Sequence, residues 1–341
     1  MAKHYSAYGL HLICAFALPG SEPAAADGDR NTPGALEIER TTPASLAHDW
    51  HGADGPAEWR GLLGDGLELA IERGVDGEIL FRYGEEACFR LHSDMRRLDC
   101  APSRDGLDWQ RVLISKVIPA ISVMRGYEAL HAAGVSSPEG VVAIMAPSGT
   151  GKSTLAVELL SRGWDLFTDD VLILSSGEDG VLAHPGSPHM NLAEAHATSS
   201  DDPQPRATAA VSAPAESPDT PAPASLGDTL AILAGERWLA VRNTATQPLP
   251  VRMLCLLERR DELTGQAHPL AGSPLPLAPY MLGLPGDATR ERSRFSLFAD
   301  LTATTPLVRL TSGLRDTPEM LADLLEQALE EHVAVGSGRL A

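Results

Sequence analysis

A chain of 341 residues, 43% hydrophobic and 21% charged, is long enough for two domains and a substantial core. Its formal net charge of -19 argues against nucleic acid as the main partner, because neutralising backbone phosphates needs a basic face and no long basic run is present. The four cysteines, Cys14, Cys88, Cys100 and Cys255, are far apart with no C-x-x-C spacing, which argues against a zinc site or a disulfide framework and fits buried thiols in a reducing cytoplasm.

Leu10–Leu18 is apolar and follows a lysine, the outline of a signal peptide, but His11 interrupts it and the run is short. A strand ending at the Pro19-Gly20 turn is expected instead, and no stretch reaches the length of a membrane span. Asp27–Ala57 is polar and reads as loop-rich. "EWRGLL" after it is ambiguous, and "GLELAIERG" reads as a strand. "ILFRYGEEACFRLH" alternates apolar and polar positions around Gly84 and Glu85, as a hairpin should. Residues 1–107 are therefore expected to form a small β-rich N-terminal domain.

Asp108–His131 has helical periodicity. Asp108 is the expected N-cap, Val112, Val117, Ile118, Ile121 and Met124 share an apolar side, and Pro119 should kink or split the helix. "EGVVAIMAP" is a buried strand, and Ser153–Arg162 is a helix. A strand then runs into Asp169 and Asp170 and continues through Val171–Leu174. Gly177–Gly180 is a turn, followed by "VLAHPGSPHMNL". From about 195 to 225 the chain is rich in Pro, Ala, Ser and Asp with almost no large apolar residue, and is expected to be a disordered insertion. "RWLAVRNT" and "VRMLCLLER" are strand-like. A last helix opens at Thr317, with Pro318 in its first position and Leu321, Leu324, Leu325, Ala328 and Leu329 along one side. Residues 108–341 thus read as an α/β domain, with no internal repeat.

Between the buried strand and the helix lies Ala146-Pro-Ser-Gly-Thr-Gly151-Lys152-Ser153. The Walker A pattern is G-x-x-x-x-G-K-[ST]; alanine replaces its first glycine, and the G-x-G-K-S core remains. Glycines let backbone N–H groups converge on an anion, and the helix N-terminus adds a positive dipole end. Ser148, Gly149, Thr150, Gly151, Lys152, Ser153 and Thr154 are the expected phosphate-binding residues. Lys152 would reach the outer phosphates, and the Ser153 hydroxyl would hold Mg²⁺.

Asp169 and Asp170 are expected at the C-terminal edge of a parallel sheet, beside this loop. One carboxylate there can hold Mg²⁺; the second is either structural or a general base taking the proton of an attacking hydroxyl. His131, alone before the loop strand, more often marks surface or satisfied core than catalysis.

Taken together these residues resemble the C-terminal domain of HPr kinase/phosphorylase, a family in which a histidine precedes the loop lysine and an aspartate pair follows it. His131 lies 21 residues before Lys152, and Asp170 lies 18 after it. The resemblance implies an HPr-kinase-type P-loop fold using ATP and Mg²⁺. It places catalysis at His131, Lys152, Asp169 and Asp170, with Asp170 as general base and, with Ser153, as metal ligand. The first hundred residues do not match the family's N-terminal domain, and its later E-x-R-G-L-G signature is absent. The chain is more similar to the HPr-kinase-like subgroup found beside lasso-peptide biosynthesis genes, through "YSAYGLHL", "RGYEALHAAGV", "PSGTGKSTLA", "TDDVLIL" and "HPGSPHMNL". That implies phosphorylation of a serine hydroxyl on a peptide or small protein, the C-terminal serine of a precursor peptide.

Two other readings stay open at this point: a small-molecule kinase, and a nucleotide-binding regulator or scaffold without transfer. No "LSGGQ"-like signature of a transporter ATPase is present. Arg292 and Arg294 are candidates for stabilising transferred charge, although a solvated basic loop is the blander reading. Arg237 and Trp238 are candidates for a place near nucleotide or peptide, with a strand end an equal reading. His184 and His189 are expected near the site with no assigned role. A homo-oligomer is compatible with all of this.

Overall fold

The computed structural model describes residues 2–23, 34–52, 57–62, 66–147, 149–178, 180–193, 226–233, 235–260, 265–270, 272–283, 288–313 and 315–337, the last six without their side chains. The expected disordered insertion and Ser148 lie outside the described residues.

The first sheet contains β1 (Lys3–Ala7), β2 (Leu10–Cys14), β3 (Leu36–Arg40), β4 (Trp59–Leu62), β5 (Glu68–Arg73), β6 (Ile79–Tyr83), β7 (Ala87–Leu91) and β8 (Arg97–Pro102), in the order β1-β2-β3-β8-β7-β6-β5-β4. β1 and β2 form a hairpin whose turn, Tyr8-Gly9, has φ of 56° and 76°, the positive pair that a two-residue turn between twisted strands requires. β6 and β7 form the hairpin expected around Gly84 and Glu85. The ambiguous "EWRGLL" is β4. The polar stretch read as loop-rich holds two elements: β3, and helix α1 (Pro43–Asp49). The Thr42 hydroxyl accepts the N–H of Ser45 to cap α1, and Pro43 sits where a missing N–H costs nothing.

Helix α2 (Asp108–Val112) passes through a π-helical turn (Leu113–Val117) into α3 (Ile118–Met124). Leu107 is the N-cap and Asp108 the first helical residue, correcting the expected cap. Pro119 lacks an N–H for the helical ladder, and the split it predicts is the π-turn just before it, where the N–H of Ile118 reaches back to the carbonyl of Leu113. The helix ends at Met124, short of the expected His131. Gly126, at φ 104°, turns the chain, and Glu128–His131 is strand β9. Val112, Leu113, Val117 and Ile121 share one core cluster with Leu12, Ile38, Phe81, Phe89 and Leu98 of the first sheet, across the expected 107/108 boundary.

The second sheet is built from β9, β10 (Ala133–Ser137), β11 (Gly140–Met145), β12 (Asp165–Thr168), β13 (Val171–Gly177), β14 (Gly180–His184), β18 (Leu249–Arg259), β19 (Gln266–Leu270), β20 (Met281–Leu282) and β21 (Leu307–Ser312). Three further strands, β15 (His189–Ala193), β16 (Gly227–Leu233) and β17 (Glu236–Val241), form a separate sheet. Helices α4 (Lys152–Ser161), α5 (Ala288–Thr304) and α6 (Pro318–Ser337) cover the second sheet. Thr317 caps α6 as expected, its hydroxyl accepting the N–H of Met320 at 3.4 Å.

β11 is apolar at every position because both its faces are covered. Val142 and Ile144 join Leu155 and Leu159 of α4 and Leu321 and Leu325 of α6, while Ala143 and Met145 join Leu297, Phe298 and Leu301 of α5. The class is mixed α/β, but the sheet is not the parallel one expected at the aspartates. Among the described strands only β11–β18, β18–β21, β2–β3 and β3–β8 run parallel. β12 is antiparallel to β10, and β13 does not continue it: the chain breaks at Asp169-Asp170 and re-enters the sheet between β14 and β9. Among the described residues no helix is long and apolar enough to cross a membrane.

Candidate active site

The loop from β11 to α4 has Gly149 at φ 77° and Gly151 at φ 106°. A Cβ at either would meet nothing within 4 Å, so the requirement for glycine is conformational. The Thr150 N–H closes the loop onto the carbonyl of Pro147 at 3.2 Å. Gly151 is the N-cap of α4 and provides no side-chain cap, and the first turn holds no acidic residue. Backbone donors and the positive helix end are thus presented with no carboxylate in the helix's own first turn, an arrangement that fits phosphate. Lys152 and Ser153 open the helix beside the loop; Thr154 is exposed. An alcohol at Ser153 and the carboxylate of Asp170 are hard oxygen donors of the kind Mg²⁺ takes together with water and phosphate. No cluster of three or more His, Cys, Asp or Glu gathers for a metal among the described residues.

The structure brings His131, Lys152 and Asp170 together. His131 ends β9, directly opposite Val171 in the ladder, so the histidine and the aspartate corner are fixed by strand pairing. Its Nδ1 lies 3.0 Å from Asp170 Oδ1. Lys152 Nζ lies 3.4 Å from the same oxygen. The other oxygen, Oδ2, accepts from Lys116 Nζ at 2.7 Å. Burial pushes the Asp170 carboxyl up, but the hydrogen bond from His131 and the charges of Lys116 and Lys152 outweigh it and hold the group well below the usual carboxylate range. Asp170 is therefore ionised and doubly oriented.

Asp169 points elsewhere. Its Oδ2 accepts from the backbone N–H of Asn191 at 2.9 Å and the side-chain amide at 3.4 Å. Burial first, and then the neighbouring charge of Asp170, push its pKa up to about 6. A carboxyl raised on folding makes the folded state less favourable as pH rises from its unfolded pKa near 3.8 through about 6, with no further change above. In metal-free protein, Asp169→Asn is therefore expected to melt higher than the wild type at pH 7, with the gap closing toward pH 4. Thermal denaturation of both proteins across that range checks this, and a pH-independent gap would contradict the raised pKa.

The aspartate corner is packed from the N-terminal hairpin. The Tyr8 N–H donates to Pro185 O at 2.6 Å, and its hydroxyl lies 3.3 Å from Ser187 Oγ. Ser122 Oγ of α3 donates to Tyr8 O at 2.8 Å. Burial raises the Tyr8 phenol to about 12, with the charges of Asp169 and Asp170 adding to the shift. Thr168 Oγ1 donates to Val171 O at 2.7 Å and braces the strand break from inside.

The other sequence candidates find partners other than His131, Lys152 and Asp170. Arg294 pairs with the buried Glu128 at 3.0 Å and with Glu291 at 3.2 Å, tying α5 to β9. Arg292 donates to Thr289 Oγ1 at 3.4 Å on the exposed side of α5. Trp238 is buried and stacks on His189 at 4.8 Å; Arg237 lies beside it in β17. His189 Nε2 donates to Pro19 O at 2.6 Å, which makes Nε2 the protonated nitrogen, and burial lowers the pKa of the ring to about 4. His184 meets Ser175 Oγ at 2.8 Å. The cysteines are free, with Cys14, Cys100 and Cys255 buried.

Lys116, Asn191 and Tyr8 were not expected at the site. Lys116 had a signal: it is the one charge between Arg111 and Arg125. Tyr8 and Asn191 lie inside two of the stretches that carry the resemblance, "YSAYGLHL" and "HPGSPHMNL", but nothing in those stretches places them against the aspartates.

No protein-family model matches the chain, and no curated protein matches it. Among solved structures it is similar to the Hpr(Ser) kinase/phosphatase from Coxiella burnetii, with 13% identity over 62% of this chain and 96% of that one, at a TM-score of 0.30. A likeness of that size is too slight to define an activity.

Proposed function

We propose that this protein is an ATP- and Mg²⁺-dependent serine kinase acting on a peptide or small protein, the C-terminal serine of a lasso-type precursor peptide. The observation that carries the reading is the contact of the phosphate-loop lysine with an ionised aspartate that His131 also holds. A loop that only sensed nucleotide would not need a base positioned against its lysine.

Bound ATP supplies the transferable γ-phosphoryl group, and Mg²⁺ neutralises its charge. The loop N–H groups from Gly149 to Thr154 bind the phosphates, and Lys152 orients the outer ones. Ser153 and Asp170 would hold the metal. Asp170 accepts the proton of the serine hydroxyl, and His131 fixes the carboxylate that receives it. Asp169 holds the β15 strand in place through Asn191.

Incubation with ATP, Mg²⁺ and a precursor peptide ending in serine is expected to add one phosphoryl group, read by intact mass. A peptide ending in alanine should stay unchanged. No mass change on the serine peptide by a protein that binds ATP would remove this acceptor.

A further inference from the structure

Lys116 sits in the π-turn of a helix that is otherwise buried against the first sheet. Val112, Leu113 and Ile114 before it and Val117, Ile118 and Ile121 after it all enter one apolar cluster, whereas Ser115 and Lys116 are half-exposed. The i to i+5 bond from Ile118 N–H to Leu113 O inserts an extra residue into that turn. The insertion shifts the helical phase and lets a charged side chain leave an apolar helix toward the aspartate corner.

The two lysines do not share Asp170 equally. Lys116 Nζ makes the close contact, 2.7 Å to Oδ2, and Lys152 Nζ the long one, 3.4 Å to Oδ1. Lys152 is also the more enclosed, at 12% side-chain exposure against 34% for Lys116. An enclosed lysine beside an unneutralised carboxylate would form a tight pair with it, because charges attract more strongly where water is excluded. Phosphate would then have to break that pair before Lys152 could be used.

Resting on the nucleotide-binding part of the reading above, we propose that Lys116 is a positioning residue that acts through Asp170 to keep the loop lysine available for phosphate. It neutralises the aspartate from the opposite side and leaves Lys152 only loosely held. Nucleotide affinity is thereby set in part by a helix that belongs to the core of the first sheet and contributes no residue to the phosphate loop.

The test is a double-mutant cycle read by calorimetric binding of ATP with Mg²⁺. Lys116→Gln is expected to weaken binding about tenfold when Asp170 is present. Lys116→Arg, which keeps the charge, should stay within about twofold of the wild type. In an Asp170→Asn background the Lys116→Gln change should cost less than about twofold, because no carboxylate remains to capture Lys152. Comparing Lys116→Gln within each background keeps the metal ligands of each pair the same. Thermal melting of each variant separates binding effects from unfolding, and Lys116→Met, which removes the charge and keeps the length, carries the same comparison if the glutamine variant is unstable. Unchanged binding in Lys116→Gln overturns the proposal. So does an equal loss in both backgrounds, which would mean a general field effect of the lysine. A wild-type protein that binds no ATP would instead overturn the kinase reading itself.

Discussion

Asp170→Asn is expected to slow transfer to the acceptor serine by about 10²–10⁴-fold, the usual contribution of a positioned general base, while the protein stays folded. Asparagine keeps the size of the side chain and an oxygen for His131 and Lys152, but it cannot take the serine proton. ATP binding measured without metal should be no weaker than in the wild type, since Lys152 loses a carboxylate partner 3.4 Å away. The checks are single-turnover phosphorylation of the serine-terminated peptide and metal-free ATP titration. If transfer and metal-free ATP binding fell in parallel, Asp170 would be a support for the phosphate loop and the base would lie elsewhere.

The second large effect is expected at a residue with no polar side chain. Gly186→Ala would place a Cβ 2.5 Å from Thr168 Oγ1, 2.9 Å from Thr168 Cβ and 3.1 Å from Tyr8 Cε1. Thr168 is buried and cannot retreat without losing its hydrogen bond to Val171 O, which braces the corner carrying both aspartates. Overpacking of this kind costs about 1–3 kcal/mol, and the broken hydrogen bond adds about 1 kcal/mol. Displacing Asp170 by a fraction of an ångström should also lower transfer by about tenfold or more. Urea denaturation and the same peptide assay measure the two losses. A variant of wild-type stability would show that the corner has room the structure does not give it.

The glycine loop and its flanking strand and helix are legible in the sequence, because glycines at left-handed positions and a continuous apolar run leave a local trace. His131 and Asp170 were legible as a pair only through their spacing from Lys152; the strand pairing that joins them is tertiary. The sheet direction at β12 was not legible, since a strand buried on both faces looks the same in either direction. The extent of the helix was misread because β9 is four residues long, and its apolar Ala129 and Leu130 fit a helical period as well as a strand. α1 leaves only the helix-start signal Thr42-Pro43, because its single buried residue, Leu46, makes no periodic pattern. Lys116 is not legible as a site residue, because a lone lysine on a helix normally faces solvent and periodicity cannot register a π-turn that redirects it.

The Tyr8–Ser187 contact joins residues 179 positions apart. On a ribosome adding roughly 5–20 residues per second, on the order of 10–40 s separate the synthesis of the hairpin turn from that of the loop that receives it. Contacts of such high sequence separation are also the slowest to find each other once the chain is complete. The aspartate corner therefore cannot close until the Pro185–Ser187 loop has been made, while β11 and α4 beside it wait longer still, for β18 and α6.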